Sequence, residues 1–248
     1  MISRHNLSAV ELGMNIITNL FTSSLGRKFI MGLTGLALFG FVIGHLLGNL
    51  QIFAGAETIN AYGALLKSNM ELLWGARIGL LVCIGLHIWM AVSLAADNQA
   101  ARPVQYANDT SGESSLASRT MLISGLIIFF FILYHLLHFT VQVDWVNGTG
   151  KDFHDMVDSK GRHDVYTMLI VGFRHPLVSF FYLVAVGLLS VHLSHGIAAL
   201  FSSLGLKTKA WEGTIETFSK VVALLILIGY ASIPLAVMFG IVGKEVAR

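Results

Sequence analysis

The chain has 248 residues, of which 55% are hydrophobic and only 12% are charged, and its mean hydropathy is +0.72. Soluble domains are about one quarter charged, so this composition excludes an ordinary soluble protein and predicts an integral membrane protein. The net charge of +2 is too small to indicate nucleic-acid binding. The single cysteine, Cys83, excludes a disulfide framework, a CxxCH haem attachment and a protein-held iron–sulfur cluster.

Five segments contain the roughly 20 apolar residues that a membrane-spanning helix needs. In chain order, the predicted spans are residues 29–54, 72–96, 120–143, 176–201 and 219–242. Polar stretches such as NDTSGESS and DSKGRHD lie between them. We therefore predict an all-α fold, an integral membrane bundle of five transmembrane helices. It forms a single domain over residues 1–248, with the two termini on opposite sides.

The distribution of basic residues does not decide the orientation of the bundle. A cytoplasmic N-terminus places half of the 16 Lys and Arg residues on each side of the membrane, so the positive-inside rule gives a tie. The pair Arg27-Lys28 directly precedes the first span and favours a cytoplasmic N-terminus.

Histidines occur in the first four predicted spans and not in the fifth. The first and second spans carry His45 and His87, the third carries His135 and His138, and the fourth carries His192 and His195. His45 and His135 lie at similar depths in two helices that run in the same direction. His87 and His192 lie at similar depths in the two helices that run in the opposite direction. With a rise of 1.5 Å per residue, each ring is about 14–15 Å from the nearer helix end.

Matched depths give these imidazoles a chemical interpretation. An imidazole in hydrocarbon is costly unless a partner satisfies it. Two imidazoles at one depth, on different helices, can bind a haem iron from both faces, and such a haem transfers electrons because no coordination site stays open. The pairs His45–His135 and His87–His192 therefore predict two haem b groups stacked across the membrane.

Membrane histidines can also have roles that involve no haem. A single histidine often makes only an interhelical hydrogen bond, but four at matched depths are harder to explain in that way. A proton relay would need Asp or Glu in the membrane cores, and zinc would need three or four ligands at one depth. His138 and His195 share a helix face with His135 and His192, so spacing alone does not exclude them as ligands. Otherwise they would donate a hydrogen bond to a haem propionate, the backbone or water.

Small residues accompany the histidines. The first span has glycines at every fourth position around His45, and the second span has two below His87: Gly40, Gly44, Gly48, Gly75 and Gly79. Such glycines serve close helix packing or leave a helix face free for a flat porphyrin, and both interpretations can hold together.

Six stretches of the chain resemble a known family over nearly the whole length and in order. They are GRKFIMGLTGLALFGFVIGHLLGNLQIF, NAYGALLKS, LHIWMAVSL with NQAARPVQYA, LYHLLHF, HLSHGIAALFSSLG and ETFSKVVALLILIGYASIPLAVMFGIV. They resemble the five-helix cytochrome b subunit of succinate:quinone oxidoreductases, and more closely its b558 branch. The resemblance implies one haem ligand on each of the first four helices: His45, His87, His135 and His192. The family pattern HxxHG supports His192 rather than His195.

The resemblance also implies partners and a location. Flavoprotein and iron–sulfur subunits would dock on the cytoplasmic face of a bacterial inner membrane, at the side that carries the N-terminus and residues 98–118 and 204–218. His87 and His192 would hold the proximal haem, and His45 and His135 the distal haem. Succinate would react at the flavin of the partner, and this chain would pass electrons to or from a quinone, with menaquinone as the expected type.

One residue departs from part of the family. Some fumarate-reducing members have a glutamate two residues before the fourth ligand, where this chain has Ser190. This favours succinate oxidation over a quinol:fumarate reductase. Two further functions stay open at this point: a di-haem anchor of a hydrogenase, formate dehydrogenase or nitrate reductase, and a haem-free membrane scaffold or transporter.

A quinone site needs a mostly apolar slot with a few hydrogen-bond donors, near a haem and near the membrane surface. Beyond the haem assigned to His45 and His135, the outer side offers such donors. The candidates are Gln51, Lys67, Glu71 and His175, with Asn49, Tyr62 and Arg174 nearby. Each of these residues could instead serve as an interfacial anchor or a loop contact.

Overall fold

The computed structural model describes residues 17–100 and 120–246, and within them the chain is helical. After a short helical segment at residues 17–22, the helices are α1 (Ser24–Asn49), α2 (Ala56–Lys67), α3 (Met70–Ala100), α4 (Met121–His135), α5 (Asp144–Asn147), α6 (Val165–Arg174), α7 (Pro176–Ser203) and α8 (Glu212–Met238). A 3-10 turn, Leu50–Ala54, extends α1, and a π turn, Leu136–Thr140, extends α4. The described residues form no strand beyond an isolated bridge between Val157 and His163.

Within the described residues, five helices are long and apolar enough to cross a membrane. The spans are Ser24–Ala54, Met70–Ala100, Met121–Thr140, Pro176–Ser203 and Glu212–Met238, and the shortest has 20 residues. Twenty helical residues measure about 30 Å, the thickness of the hydrocarbon core. Many large apolar side chains face outward from the bundle, as lipid contact requires. The predicted fold, a multi-pass bundle of five transmembrane helices, is confirmed.

The ends of the spans differ from the predicted ones by a few residues. The first helix begins at Ser24 rather than at 29, because the Ser23 side chain accepts a hydrogen bond from the Gly26 amide and caps it. The fifth helix begins at Glu212 rather than at 219, and ends at Met238 rather than at 242. Hydropathy detects only the part of a helix that lies in hydrocarbon, and α8 continues into polar sequence at its start.

The bundle is built from antiparallel helix pairs. The most extensive packing joins α7 with α8, and the next joins α1 with α3. An ion pair between Arg27 and Asp97 links the start of α1 to the end of α3. α4 packs on α7, while α3 makes little contact with α4. Consequently the bundle contains two facing helix pairs: one consists of α1 and α3, and the other of α4 and α7.

A cap covers one end of the bundle; it consists of α2, α6 and the chain end, residues 239–246. Seven of the ten α6 residues are buried. Arg174 donates hydrogen bonds to the carbonyls of Gly243 and Val246, at 2.6 and 2.8 Å. The Tyr166 hydroxyl donates to Glu245 at 2.6 Å. The cap thus belongs to the folded core, although its two helices lie in segments that the sequence indicated only as connections.

Candidate functional site

His45 of α1 and His135 of α4 meet inside the bundle. Their ring centres are 5.7 Å apart, and the ring planes are nearly perpendicular at 82°. An imidazole nitrogen binds a metal at about 2 Å, so two imidazoles on opposite sides of one iron have centres about 6 Å apart. The structure therefore brings together two histidines of matched depth at a spacing that fits one iron between them.

The hydroxyl group of Tyr182, on α7, bridges the two histidines of the third span. It lies 3.2 Å from Nδ1 of His135 and 3.0 Å from Nδ1 of His138. When Nδ1 of His135 carries the proton and donates a hydrogen bond to Tyr182, Nε2 of the same ring has a free lone pair that can bind a metal. Tyr182 is buried, so this hydrogen bond is sheltered from water.

His138 occupies a different environment from His135. Its side chain is fully buried, with its ring centre 3.9 Å from that of Phe139 and 5.7 Å from that of Phe153. Its Nε2 faces Gly172 of α6, where an added Cβ would lie 3.3 Å away, and has no hydrogen-bond partner among the described residues. The His138 ring thus packs into an aromatic cluster below the cap rather than against His45.

His87 of α3 packs on the first half of α1. Its Nδ1 lies 3.2 Å from the carbonyl oxygen of Met31 and 3.3 Å from the hydroxyl oxygen of Thr34. The next residue, Gly35, makes room for the ring, because a Cβ there would lie 3.3 Å from Cε1 of His87. The contacts hold Nδ1 against two oxygen atoms and leave Nε2 unoccupied by α1.

His192 of α7 packs on the first half of α4 in the same way. Its Nδ1 lies 3.3 Å from the hydroxyl oxygen of Ser124, and the carbonyl of Met121 is a second partner. A Cβ on Gly125 would lie 3.3 Å from Cε1 of His192. His87 and His192, the second predicted pair, therefore have matching surroundings, each with Nδ1 against a hydroxyl oxygen of the neighbouring helix and with a glycine beside the ring.

The remaining polar residues of the fourth span point elsewhere. His195 is one turn closer to the N-terminal side and is within electrostatic range of Lys207. Ser190 donates a hydrogen bond to the carbonyl of Ala223, on α8, at 2.9 Å. Ser190, at the position where some members of the resembling family have a glutamate, therefore holds α7 to α8.

The glycines separate into two groups. Apart from the backbone of the same helix, no atom of the described residues lies within 4 Å of where a Cβ would stand at Gly40, Gly44, Gly75 and Gly79. At Gly48, in contrast, a Cβ would lie 2.7 Å from Cε1 of Tyr62, so this glycine is needed for α2 to pack on α1. The first group fits a helix face beside a flat macrocycle, and Gly48 serves helix packing.

The donor set fits a haem rather than a metal ion held by protein ligands alone. In residues 17–100 and 120–246, no group of three or more His, Cys, Asp or Glu side chains is placed to hold a metal ion. A structural or catalytic zinc site needs three or four such ligands, whereas a haem iron needs only axial ligands from the protein. Two histidine pairs on opposing helices satisfy the second requirement.

One of the four quinone candidates lines a cavity at the cap. The cavity has a volume of about 220 Å³ and is lined by Gly63, Ala64, Lys67, Ser68, Arg162, His163 and Val165. Gln51, Glu71 and His175 do not line it. They lie in the 3-10 turn after α1, at the start of α3 and between α6 and α7 respectively.

The basic groups of this cavity are partly desolvated. Burial lowers the pKa of Lys67, and the positive charge of Arg77 lowers it further. Burial also lowers the pKa of His163, with Lys67 as the second cause. Nε2 of His163 lies 2.9 Å from the side-chain nitrogen of Gln142. Because Nε2 of His163 accepts from Gln142, the Lys67 amine is the hydrogen-bond donor that this cavity offers, next to the apolar walls formed by Gly63 and Val165.

The side opposite the cap carries exposed charges. Lys207 pairs with Glu212 and Glu216 at 2.9 and 3.1 Å, and its hydrogen bonds to them raise the pKa of Lys207. Residues 204–218, one of the two segments expected to dock partner subunits, contain this cluster. Of the other segment, 98–118, residues 101–118 lie outside the described part of the chain.

Comparison of the chain with protein-family models, with curated proteins and with solved structures gives no match. The two histidine pairs and their surroundings therefore remain the features that connect this chain to a function.

Sequence reasoning missed the partners of the histidine Nδ1 atoms. Tyr182 gave no signal, because it lies 47 residues from His135 along the chain and meets it only through helix packing. Thr34 and Ser124 were detectable, because each precedes a histidine of its own span by eleven residues and is followed by glycine.

Proposed function

We propose that this protein is the di-haem cytochrome b membrane anchor of a succinate:quinone oxidoreductase. His45 and His135 would hold one haem b near the cap, and His87 with His192 would hold the other near the N-terminal side. A bound haem supplies one-electron redox chemistry. The chain would pass electrons between an iron–sulfur subunit and membrane quinone, while the dicarboxylate reacts on a partner subunit.

The observation that carries this proposal is the meeting of His45 and His135 from two different helices, with ring centres 5.7 Å apart. Because Nδ1 of His135 faces the Tyr182 hydroxyl, its Nε2 is available to iron. An isolated membrane histidine would need only one hydrogen-bond partner. A second pair with occupied Nδ1 atoms, His87 and His192, extends the same donor arrangement towards the other side of the membrane.

The surroundings of the histidines suit electron transfer. Two axial imidazoles leave the iron without an open coordination site, which favours electron transfer over oxygen chemistry. The buried aromatic cluster around Tyr182 and Phe139 excludes water from the neighbourhood of His135. The side chains thus orient the ligands and keep solvent away from them.

The proposal includes partners and a location that follow from the family resemblance. Flavoprotein and iron–sulfur subunits would bind the N-terminal side, in the cytoplasm of a bacterium, and the cap would face the outer side of the inner membrane. The charged segment 204–218 supports a polar docking surface there. Menaquinone is the expected quinone.

The proposal is tested on the complex purified from membranes in mild detergent. We expect a reduced-minus-oxidised spectrum of two low-spin b haems per chain, together with flavin in the same preparation. Chemical crosslinks from the iron–sulfur subunit should reach Lys207 or Lys209.

Different outcomes would indicate a different function. A spectrum without haem bands would indicate a haem-free scaffold or transporter. Molybdenum or nickel in place of flavin would indicate the anchor of a nitrate reductase, formate dehydrogenase or hydrogenase. Fumarate reduction by quinol that is faster than succinate oxidation would indicate a quinol:fumarate reductase. Crosslinks to Lys151 or Lys160 would contradict docking on the N-terminal side.

A further inference from the structure

Two of the membrane helices carry the same sequence pattern. Residues 31–47 of α1 read MGLTGLALFGFVIGHLL, and residues 121–137, in α4 and its π turn, read MLISGLIIFFFILYHLL. Eight of the 17 positions are identical, and Thr34 stands opposite Ser124. The two segments also contact equivalent partners, since α1 pairs with α3 and α4 pairs with α7. The bundle thus contains a repeated element that runs from a methionine to a histidine.

Each copy of the element presents two features on one helix face. Thr34 precedes His45 by eleven residues, and Ser124 precedes His135 by eleven. Eleven residues make about three turns and span about 16 Å of helix. The hydroxyl and the histidine of one copy therefore face the same side of the helix at two levels of the membrane. At one depth, each copy supplies its own histidine. At the other depth, its hydroxyl residue contacts the histidine of the helix that packs on it, α3 for the first copy and α7 for the second.

The contacts at the hydroxyl level determine where the proton of His87 lies. Thr34 donates its hydroxyl proton to the carbonyl of Ile30 at 2.8 Å, so its oxygen offers a lone pair to Nδ1 of His87. The Met31 carbonyl oxygen, also close to that nitrogen, can only accept. The oxygens of Thr34 and Met31 both act as acceptors towards Nδ1 of His87, so this nitrogen must carry a proton. Without the proton, its lone pair would face the lone pairs of the two oxygens. The lone pair of the ring is then on Nε2.

The second copy repeats this arrangement at His192. Ser124 donates to the Met121 carbonyl at 3.0 Å, and its oxygen faces Nδ1 of His192. The glycines after the hydroxyl residues, Gly35 and Gly125, let the two imidazoles approach the helices closely. Any larger residue would push each ring away from its acceptors by a few tenths of an ångström.

We propose that Thr34-Gly35 and Ser124-Gly125 are positioning residues for the haem ligands His87 and His192. Each pair fixes its imidazole as the tautomer with a proton on Nδ1 and a free lone pair on Nε2, and orients the ring. A hydrogen bond from Nδ1 to an oxygen raises the basicity of the ligand and stabilises the bound metal. Because both copies act on the same histidine pair, they tune one haem and leave the other unchanged. This inference rests on the proposed function.

The test compares single variants of the purified complex by redox titration, haem content and the low-spin electron paramagnetic resonance signals. Thr34→Val and Ser124→Ala remove the hydroxyls, and Thr34→Ser restores one. Gly35→Ala and Gly125→Ala displace the rings. Ser232→Ala is the matched hydroxyl control, because within residues 17–100 and 120–246 the Ser232 hydroxyl bonds only the Gly229 carbonyl of its own helix. Gly32→Ala is the glycine control on the same helix as Gly35, because its Cβ would make ordinary contacts with Ser203 and Leu200, at 3.4 and 3.6 Å.

We expect Thr34→Val and Ser124→Ala to raise the midpoint potential of one and the same haem, since a less basic ligand stabilises the oxidised iron less. That haem should also bind about 10–100-fold more weakly, the usual effect of losing an outer partner of a metal-bound histidine. The midpoint potential and binding of the other haem should be unchanged in every variant. In Thr34→Ser and in both controls, both haems should match wild type. The glycine variants should reproduce the effect or lose that haem alone.

Three results would overturn the inference. They are unchanged potentials in both hydroxyl variants, equal shifts of both haems, and effects of the two variants on different haems. If a glycine variant fails to assemble, the comparison of Thr34→Val with Thr34→Ser still decides. If the wild-type complex contains two b haems but the variants show no such effects, this inference alone is rejected. If the wild-type complex contains no haem, the proposed function is rejected as well.

Discussion

At the scale of single residues, the third span distinguishes two histidines that its sequence presents as near equals. His135 and His138 lie one turn apart and share the hydroxyl of Tyr182. If His135 donates from Nδ1 to Tyr182, the hydroxyl proton of Tyr182 is free to donate to Nδ1 of His138. The His138 proton then lies on Nε2, against Gly172. This arrangement leaves the free ring nitrogen on His135, the histidine whose ring centre lies 5.7 Å from that of His45.

We therefore predict that Tyr182→Phe disturbs the haem of His45 and His135 and spares the other. Losing the hydroxyl leaves two buried imidazole nitrogens without their partner, at a cost of about 1–3 kcal/mol each. Haem content and optical spectra of the purified complex measure the effect, with about 10–100-fold weaker binding of that haem expected. Tyr134→Phe is the matched control, because the Tyr134 hydroxyl makes no hydrogen bond in the described part of the chain. Loss of haem in His138→Ala, with retention in His135→Ala, would contradict the ligand choice.

Depth along a helix was enough to predict that His45 and His135 lie close together, because the rise per residue is constant and needs no knowledge of packing. The partners of Nδ1 were not predictable in this way. Tyr182 reaches the third span from α7, and which of its faces turns towards α4 depends on how the helices pack. Thr34 and Ser124 were within reach of the sequence, since aligning the first span with the third shows the shared pattern.

At the scale of elements, hydropathy located the spans but not the cap. The five spans were found because every residue in hydrocarbon is under the same requirement for apolar side chains. The ten residues of α6 are just as apolar, yet they are too few to cross a membrane and are buried by protein instead. α2 is an amphipathic helix whose contacts include Tyr62 on Gly48. Short helices of this kind are defined by their neighbours, which the sequence does not show.

An ion-pair network holds α2 to the segment before α6. Arg162 bonds Glu57 at 2.7 Å and Asp158 at 2.7 Å, and Lys160 bonds Glu57 at 2.8 Å. The hydrogen bonds from Arg162 are the main reason that the pKa values of Glu57 and Asp158 are both lowered to about 2. An acid with a lowered pKa stabilises the fold above its unfolded pKa, near 4, and this contribution disappears as the pH falls through the folded pKa.

We predict that the cap loosens between about pH 4 and pH 2, as Glu57 and Asp158 take up protons. Hydrogen–deuterium exchange of the α2 peptide in the detergent-solubilised protein measures this, with rates referenced to the intrinsic exchange rate at each pH. Glu57→Gln should raise α2 exchange at neutral pH by a few-fold at most, since exposed pairs contribute little, and should reduce the acid-induced change.

Asp155→Asn is the matched control, because Asp155 is exposed and forms no ion pair with a described residue. It should keep the wild-type profile. An α2 exchange profile in Glu57→Gln that equals wild type at every pH would show that this network does not hold the cap.

At the scale of the whole molecule, the two ends of the bundle are built differently. The cap end contains the largest apolar core, which joins Ile52 and Ile59 to α6, α7 and α8. It also buries polar side chains, among them Asn60 and Gln142. The opposite end carries exposed charges around Lys207 and Glu216. The large apolar core beside His45 and His135 and the polar segment around Lys207 accord with the proposal that quinone exchanges at the cap end and soluble subunits dock at the opposite end.

The cavity beside Lys67 is the candidate for the proposed quinone site. It lies at the end of α2, and its lining combines apolar walls with the amine of Lys67 and the imidazole of His163. A lowered pKa makes the Lys67 amine a stronger acid and so a better proton donor to a reduced quinone. On the chain, α2 connects this cavity to Gly48, one turn from His45, through Tyr62.

We predict that Lys67→Met lowers the quinone-linked activity of the complex about tenfold or more, the effect of losing a charged hydrogen bond to a bound ligand. Succinate oxidation with an artificial dye and both haem spectra should be unchanged, because the dye takes electrons before the quinone site. Gln51, Glu71 and His175 variants should have smaller effects, since these residues do not line the cavity. Lys244→Met is the matched control, because Lys244 is exposed on the cap and pairs with no described residue. If Lys67→Met and the other three variants all match wild type, the quinone site does not lie at the cap. A quinone-site inhibitor located beside His87 and His192 would contradict the prediction in the same way.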